Sequence, residues 1–424
     1  MSQAEHTPRS RETTLFARLS GGGDPDATES ANGLRIAASL SMTKISDGLI
    51  DPKLVLSWLL SALGAPAVFA GALVPIREAG ALLPQILLAG AMGRLARKKW
   101  MWVAGAALQG VAALLIALAG LGLEGSTAGA AICAALALLA LARSACSVSF
   151  KVVLGRSVEK TRRGAITGIA GSLASGAVVI FALLLISGLF EARGPVLAAI
   201  TLAGVLWLAA AGLFATLDEE PGKTGDSAPP PILGTLREDP MLRRFILARG
   251  LLVTTALAPP YIVMIAGGEG GAVLGQLGAL VLASAAASFL ASYVWGRLAD
   301  RSSRWVLVIA GGLGGLAMAA MPVLGLLGQA DNAWVGPAVL FVLMLAYHGV
   351  RQGRSTYLVD MAPEDKRAAY SAVANTLIGC ILLLAGALGG SLSLLGPEAA
   401  LAGFAALSAL GGGLCLGLRE VETA

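Results

Sequence analysis

The chain has 424 residues, of which 56% are hydrophobic and only 13% charged. Soluble globular proteins carry roughly 25% charged residues, so water cannot be the main solvent of this surface. The net charge is +5, and its placement says more than its size.

Apolar stretches of roughly 20 residues recur, each long enough to cross a bilayer core as a helix. They do not alternate apolar and polar residues as barrel strands would. The first expectation is therefore an all-α integral membrane protein with about twelve transmembrane helices in two six-helix, pseudo-symmetric bundles. Residues 1–51 read as a cytoplasmic N-terminal tail without the apolar core of a signal peptide. Leu34 to Ile50 reads either as an amphipathic helix on the membrane surface or as solvated chain.

Asp51 as N-cap and Pro52 in the first turn predict that the first span runs from Pro52 to Ala70. The next five are expected over 74–95, 100–121, 128–152, 164–189 and 195–216, completing a bundle over 52–217. Asp218-Glu219-Glu220-Pro221 and Pro229-Pro230-Pro231 mark a linker over 218–241. A second bundle over 242–418 follows, with spans over 242–266, 271–298, 305–327, 334–357, 368–394 and 398–418 and a short tail over 419–424. Basic residues gather in alternate connections, such as Arg94, Arg97, Lys98 and Lys99, or Arg156, Lys160, Arg162 and Arg163. The positive-inside rule then places both termini in the cytoplasm, in a bacterial inner membrane.

The halves repeat. Gly93-Arg94-Leu95-Ala96 and Gly296-Arg297-Leu298-Ala299 stand 203 positions apart, each followed by basic residues and a tryptophan, Trp100 or Trp305. Thr161-Arg162-Arg163-Gly164-Ala165 precedes Asp365-Lys366-Arg367-Ala368-Ala369 by 204. Two matches at nearly one offset argue for a parallel internal repeat.

The run Gly296-Arg297-Leu298-Ala299-Asp300-Arg301-Ser302-Ser303-Arg304 resembles the cytoplasmic 8–9 signature of the major facilitator superfamily. The resemblance implies a twelve-helix secondary transporter that works by rocking two halves about a midplane site. It also implies an inward gate at Gly296, Asp300, Arg301 and Arg304, with Gly93 and Arg94 as the first-half counterparts. The glycine is expected to let helices approach closely. No acid stands between Gly93 and Trp100, so the first half lacks the acidic anchor of that pattern.

Ionisable groups inside a span are costly unless paired or hydrated, which makes them functional candidates. The repeat carries Arg77 and Glu78 to a point within the eighth span, so both belong in the second span. Glu78 is the one acid placed inside a span and the candidate proton-coupling carboxylate; a solvated loop pair is the alternative. Arg143 in span four, Arg249 in span seven, and His348 and Arg351 sharing a face of span ten complete the candidate cavity with Gln85 and Asn375. The excess of arginine points to an organic anion, because guanidinium matches carboxylate or phosphate bidentately.

Cys133, Cys146, Cys380 and Cys415 sit in apolar runs and read as small hydrophobes. No metal-ligand cluster, P-loop or nucleophile–histidine pair is present, so an enzyme, a metal and a cofactor are not expected. Basic residues flank membrane spans rather than forming a domain, which argues against nucleic acid. The expected partners are membrane lipids, a small solute and protons, on a monomer. The alternatives are a lipid flippase and a non-transporting sensor or assembly factor on the same fold.

Overall fold

The structure, a computed structural model, describes residues 11–20, 25–188, 193–222, 224, 232–266, 274–299, 301–329, 332–363 and 366–421. Its regular elements are helices. In the first half these are α1 (Arg11–Ser20), α2 (Ala27–Leu49), α3 (Val55–Ala62), α4 (Ala67–Leu82), α5 (Gln85–Arg94), α6 (Lys99–Gly122), α7 (Gly125–Ser157), α8 (Lys160–Ile186) and α9 (Gly194–Ala215). The second half holds α10 (Ile232–Glu238), α11 (Pro240–Leu252), α12 (Thr254–Leu257), α13 (Pro259–Ala266), α14 (Leu274–Ala299), α15 (Ser303–Leu326), α16 (Val335–Met361), α17 (Arg367–Leu392) and α18 (Pro397–Cys415).

Ten segments among the described residues are long and apolar enough to span a membrane, one of them α11 to α13 taken together. Two further crossings are each built from a pair of helices, α2 with α3 and α4 with α5. Together they make the twelve-helix, all-α membrane fold.

The first crossing corrects the expected start at Pro52 and the expected tail. Residues 27–49 form a 23-residue helix packed against α8 and α9, not a surface helix or solvated chain. Its polar face is satisfied by neighbouring backbone: the Ser46 hydroxyl donates to the Ala203 carbonyl at 2.9 Å, and Lys44 Nζ to the Thr167 carbonyl at 3.0 Å. A polar helix can lie inside a bundle when its donors find carbonyl partners there. Asp51 does cap a helix, but it is the second limb of a broken one. Its Oδ1 accepts from the Lys53 and Leu54 amides at 2.7 and 3.3 Å, ahead of α3.

The seventh crossing breaks in the corresponding place, between α11, α12 and α13, where Pro259 and Pro260 remove amide donors. The repeat is also visible in the packing. In the first half α6 lies against α7 and α9, and in the second α15 lies against α16 and α18. Small residues allow this: a Cβ on Gly110 would lie 2.8 Å from the Gly204 carbonyl, and one on Gly311 would lie 2.8 Å from Gly412 Cα.

The halves meet mainly where α4 crosses α17 and α8 crosses α14. The close approaches sit toward the end remote from the basic connections. Gly386 of α17 faces the Pro75 ring, Gly71 faces the Tyr261 hydroxyl, and Gly278 faces Ala182 and Ile186. At the basic end, the ion pairs given for the described residues stay within a half: Arg162 with Glu29, Arg156 with Glu219, Arg304 with Glu420 and Lys366 with Glu238. The close approaches of the seam thus lie toward one end, and the four ion pairs named at the other each stay within a half.

Candidate functional site

The charged centre of the first half is built around Asp47, on the last turn of α2. Arg77 of α4 donates from Nη2 to Asp47 Oδ1 at 2.7 Å. Arg143 of α7 pairs with both oxygens of the same carboxylate. The Arg77 side chain is 11% exposed and that of Asp47 22%. One carboxylate thus holds two arginines from two other helices, and removing it would strand the mostly buried Arg77 without its acid, while the half-exposed Arg143 keeps contact with solvent. A cavity of 140 Å³ borders this cluster, with Lys44, Gln109 and Cys146 in its wall.

The second half is organised differently. Arg249 of α11 is only 5% exposed. Its Nη2 donates to Asn375 Oδ1 of α17 at 3.3 Å, and its Nε has no hydrogen-bond partner. Arg351 and Arg354 of α16 line the same slot, and neither makes an ion pair among the described residues. The acid in this slot comes from the other half: Glu78 of α4.

Between the halves lies a cleft of 1130 Å³, walled by α8 and α14, with Asp51 and Lys53 on one side and Tyr347, His348 and Arg351 on another. Lys53 Nζ sits 3.5 Å from the centre of the Tyr347 ring, a cation–π contact across the seam. His348 and Arg351 do share a face, and both also border a second space of 490 Å³ with Gly296, Gln352 and Ser355.

The expected residues are thus sorted. Arg77 and Arg143 come together on Asp47. Glu78, Arg249 and Arg351 come together in the slot, with Asn375 behind Arg249 and His348 in the adjoining cleft. Gln85 stands apart, its amide donating to the Ala81 carbonyl of the preceding turn at 2.8 Å. The view of Glu78 as the one acid within the spans is corrected: Asp47 and Asp51 are there too, on a segment too polar to read as a span.

The expected gate is only partly in view. Asp300 lies outside the described residues. Gly296 has open space where a Cβ would point, so no close helix approach explains that glycine. Arg301 is exposed. Arg304 pairs with Glu420 at 3.0 Å and donates to the Leu418 carbonyl at 3.4 Å, which holds the C-terminal segment onto its own half. Gly93 and Arg94 end α5.

The missing acid of the first half is supplied from the linker. Glu219, 3% exposed, accepts the Lys98 and Lys99 amides at 3.0 and 2.7 Å and faces Arg156 at 3.4 Å. It sits at the N-terminus of α6, where a negative charge meets free amides and the positive end of the helix dipole. Asp47, Lys44, Lys53 and Glu219 all went unmarked in the sequence. The repeat held a signal for the first three: the expected seventh span, 242–266, moved back by 204 falls on 38–62.

Comparison with known proteins agrees with this architecture. The family model described as Major Facilitator Superfamily matches residues 253–424. Two crystal structures of the nucleoside transporter NupG, one of a single-substitution mutant, have TM-scores of 0.69 at 12% identity. They cover 92% and 91% of this chain, and 100% and 98% of their own. No curated protein matches the sequence.

Proposed function

We propose that this chain, a member of the major facilitator superfamily, carries a small organic anion across a cytoplasmic membrane by alternating access, coupled to protons. The observation that carries the reading is the cleft between the halves. Both halves contribute charged side chains to it, and it lies beside a seam closed at one end. A site at the repeat interface, with helices broken beside it, is the plan of secondary transporters. The anion follows from charge: Lys44, Lys53, Arg143, Arg249, Arg351 and Arg354 outnumber Asp47, Asp51 and Glu78 around the central spaces. A poorly hydrated wall with excess arginine favours carboxylate or phosphate.

A second reading takes its substrate from the fold likeness. NupG is named a nucleoside transporter, and an uncharged nucleoside could use Tyr347, His348 and the cleft serines as hydrogen-bonding groups. Counterflow in proteoliposomes separates the two. Preloaded vesicles should exchange labelled mono- and dicarboxylates or organic phosphates and ignore nucleosides. Exchange of nucleosides alone would replace the anion reading, and absence of any exchange would remove transport.

A further inference from the structure

We propose that Arg249, Arg351 and Arg354 form the anion subsite of the carrier and that Glu78 is its tethered occupant, displaced when a substrate carboxylate or phosphate arrives. The proposal rests on the transport reading and deepens it.

Three observations converge. First, the two halves use their arginines differently. Arg77 and Arg143 share the carboxylate of Asp47, whereas Arg249, Arg351 and Arg354 make no ion pair among the described residues. Second, the Arg249 side chain is buried and its Nε is left without a partner. A buried donor without an acceptor is unfavourable, and an arriving carboxylate or phosphate oxygen would satisfy it. Third, Glu78 reaches across from α4 to line the slot. It makes no ion pair among the described residues, yet Arg249, Arg351 and Arg354 line the same slot. It faces the cations without being locked to any of them.

The space agrees. With Glu78 in place the slot has only 30 Å³ of free room, about one water molecule. The neighbouring cleft has 1130 Å³, and Tyr347 and Arg351 border both. An anion entering the cleft meets Arg351 first and reaches Arg249 and Arg354 only as Glu78 leaves.

The test is a thermal-shift titration of the full-length purified protein with inorganic phosphate and with succinate, at constant ionic strength. Removing a competitor that fills the site most of the time should lower the half-saturating concentration about tenfold, so Glu78→Gln should tighten binding by that factor. Glu78→Asp keeps the charge but shortens the reach, and should fall between Gln and the parent. Arg249→Ala and Arg354→Ala should each weaken binding at least tenfold; the second serves if the first does not fold.

An unchanged half-saturating concentration in Glu78→Gln overturns the tether, and so does Glu78→Asp behaving as the parent. Parent-like binding in the arginine variants, or no shift by either probe in Glu78→Gln, overturns the subsite. Failure of the transport reading looks different. The predicted binding pattern without counterflow would remove transport and keep the site, whereas counterflow of a solute indifferent to all four variants would do the reverse.

Discussion

The two halves descend from one pattern but solve the problem of buried charge in opposite ways. The first half closes its account internally: Asp47 binds Arg77 and Arg143, and Glu219 caps the start of α6 and faces Arg156. The second half leaves Arg249, Arg351 and Arg354 facing a slot whose acid belongs to the first half. One half therefore has the charge arrangement of a scaffold and the other that of a binding wall. The difference teaches that a duplicated fold conserves helix packing, as α6 and α15 show, while each copy is free to distribute its charges.

The largest expected effect is at Asp47. Asp47→Ala leaves two arginines without their acid and should cost about 3–5 kcal/mol, read as a large fall in the thermal midpoint of purified protein. Arg354→Ala strands no acid and should leave that midpoint level or raised. A fall as large as that of Asp47→Ala would erase the contrast between the halves.

Glu219→Ala comes next. It removes the acceptor for two buried amides and the partner of Arg156, for an expected loss of about 2–4 kcal/mol. Glu219→Gln, which keeps acceptor oxygen but not charge, should recover part of it. Full stability in the alanine variant would show that the linker does not anchor the first half.

A smaller effect tests the seam. A Cβ on Gly386 would overlap the Pro75 ring, so Gly386→Ala must push α17 from α4 at the closed end. Cysteine cross-linking between those helices should slow several-fold, at a stability cost of about 1–3 kcal/mol. Unchanged cross-linking would mean that the seam does not depend on this contact. The smallest effect belongs to Gln85→Ala, which breaks one local bond to Ala81 and should shift stability by about 0.5 kcal/mol or less with flux unchanged.

Much of the fold was legible in the residues because lipid imposes a length on apolar runs and a side on basic ones. Five of the first six crossings and all of the last six were found near their observed positions. The first was not, because α2 carries Lys44, Asp47 and several serines, and a hydropathy reading cannot know that α8 and α9 hold carbonyls for them. That single miss hid Asp47, and with it the reason Arg77 and Arg143 are there. Glu219 was hidden for another reason: it lies 120 positions from the Lys99 amide it caps.

By itself, the sequence determined the membrane, the helical class and the duplication, and it marked Glu78, Arg249 and Arg351 of the slot, since each follows from local composition or a fixed offset. Tertiary structure alone decided which charges are spent on one another. Whether an arginine is a structural partner or a free donor depends on what distant helices bring within about 4 Å of it. Composition counts an excess of arginine; only packing shows that Asp47 holds two of them and that Glu78 faces the others.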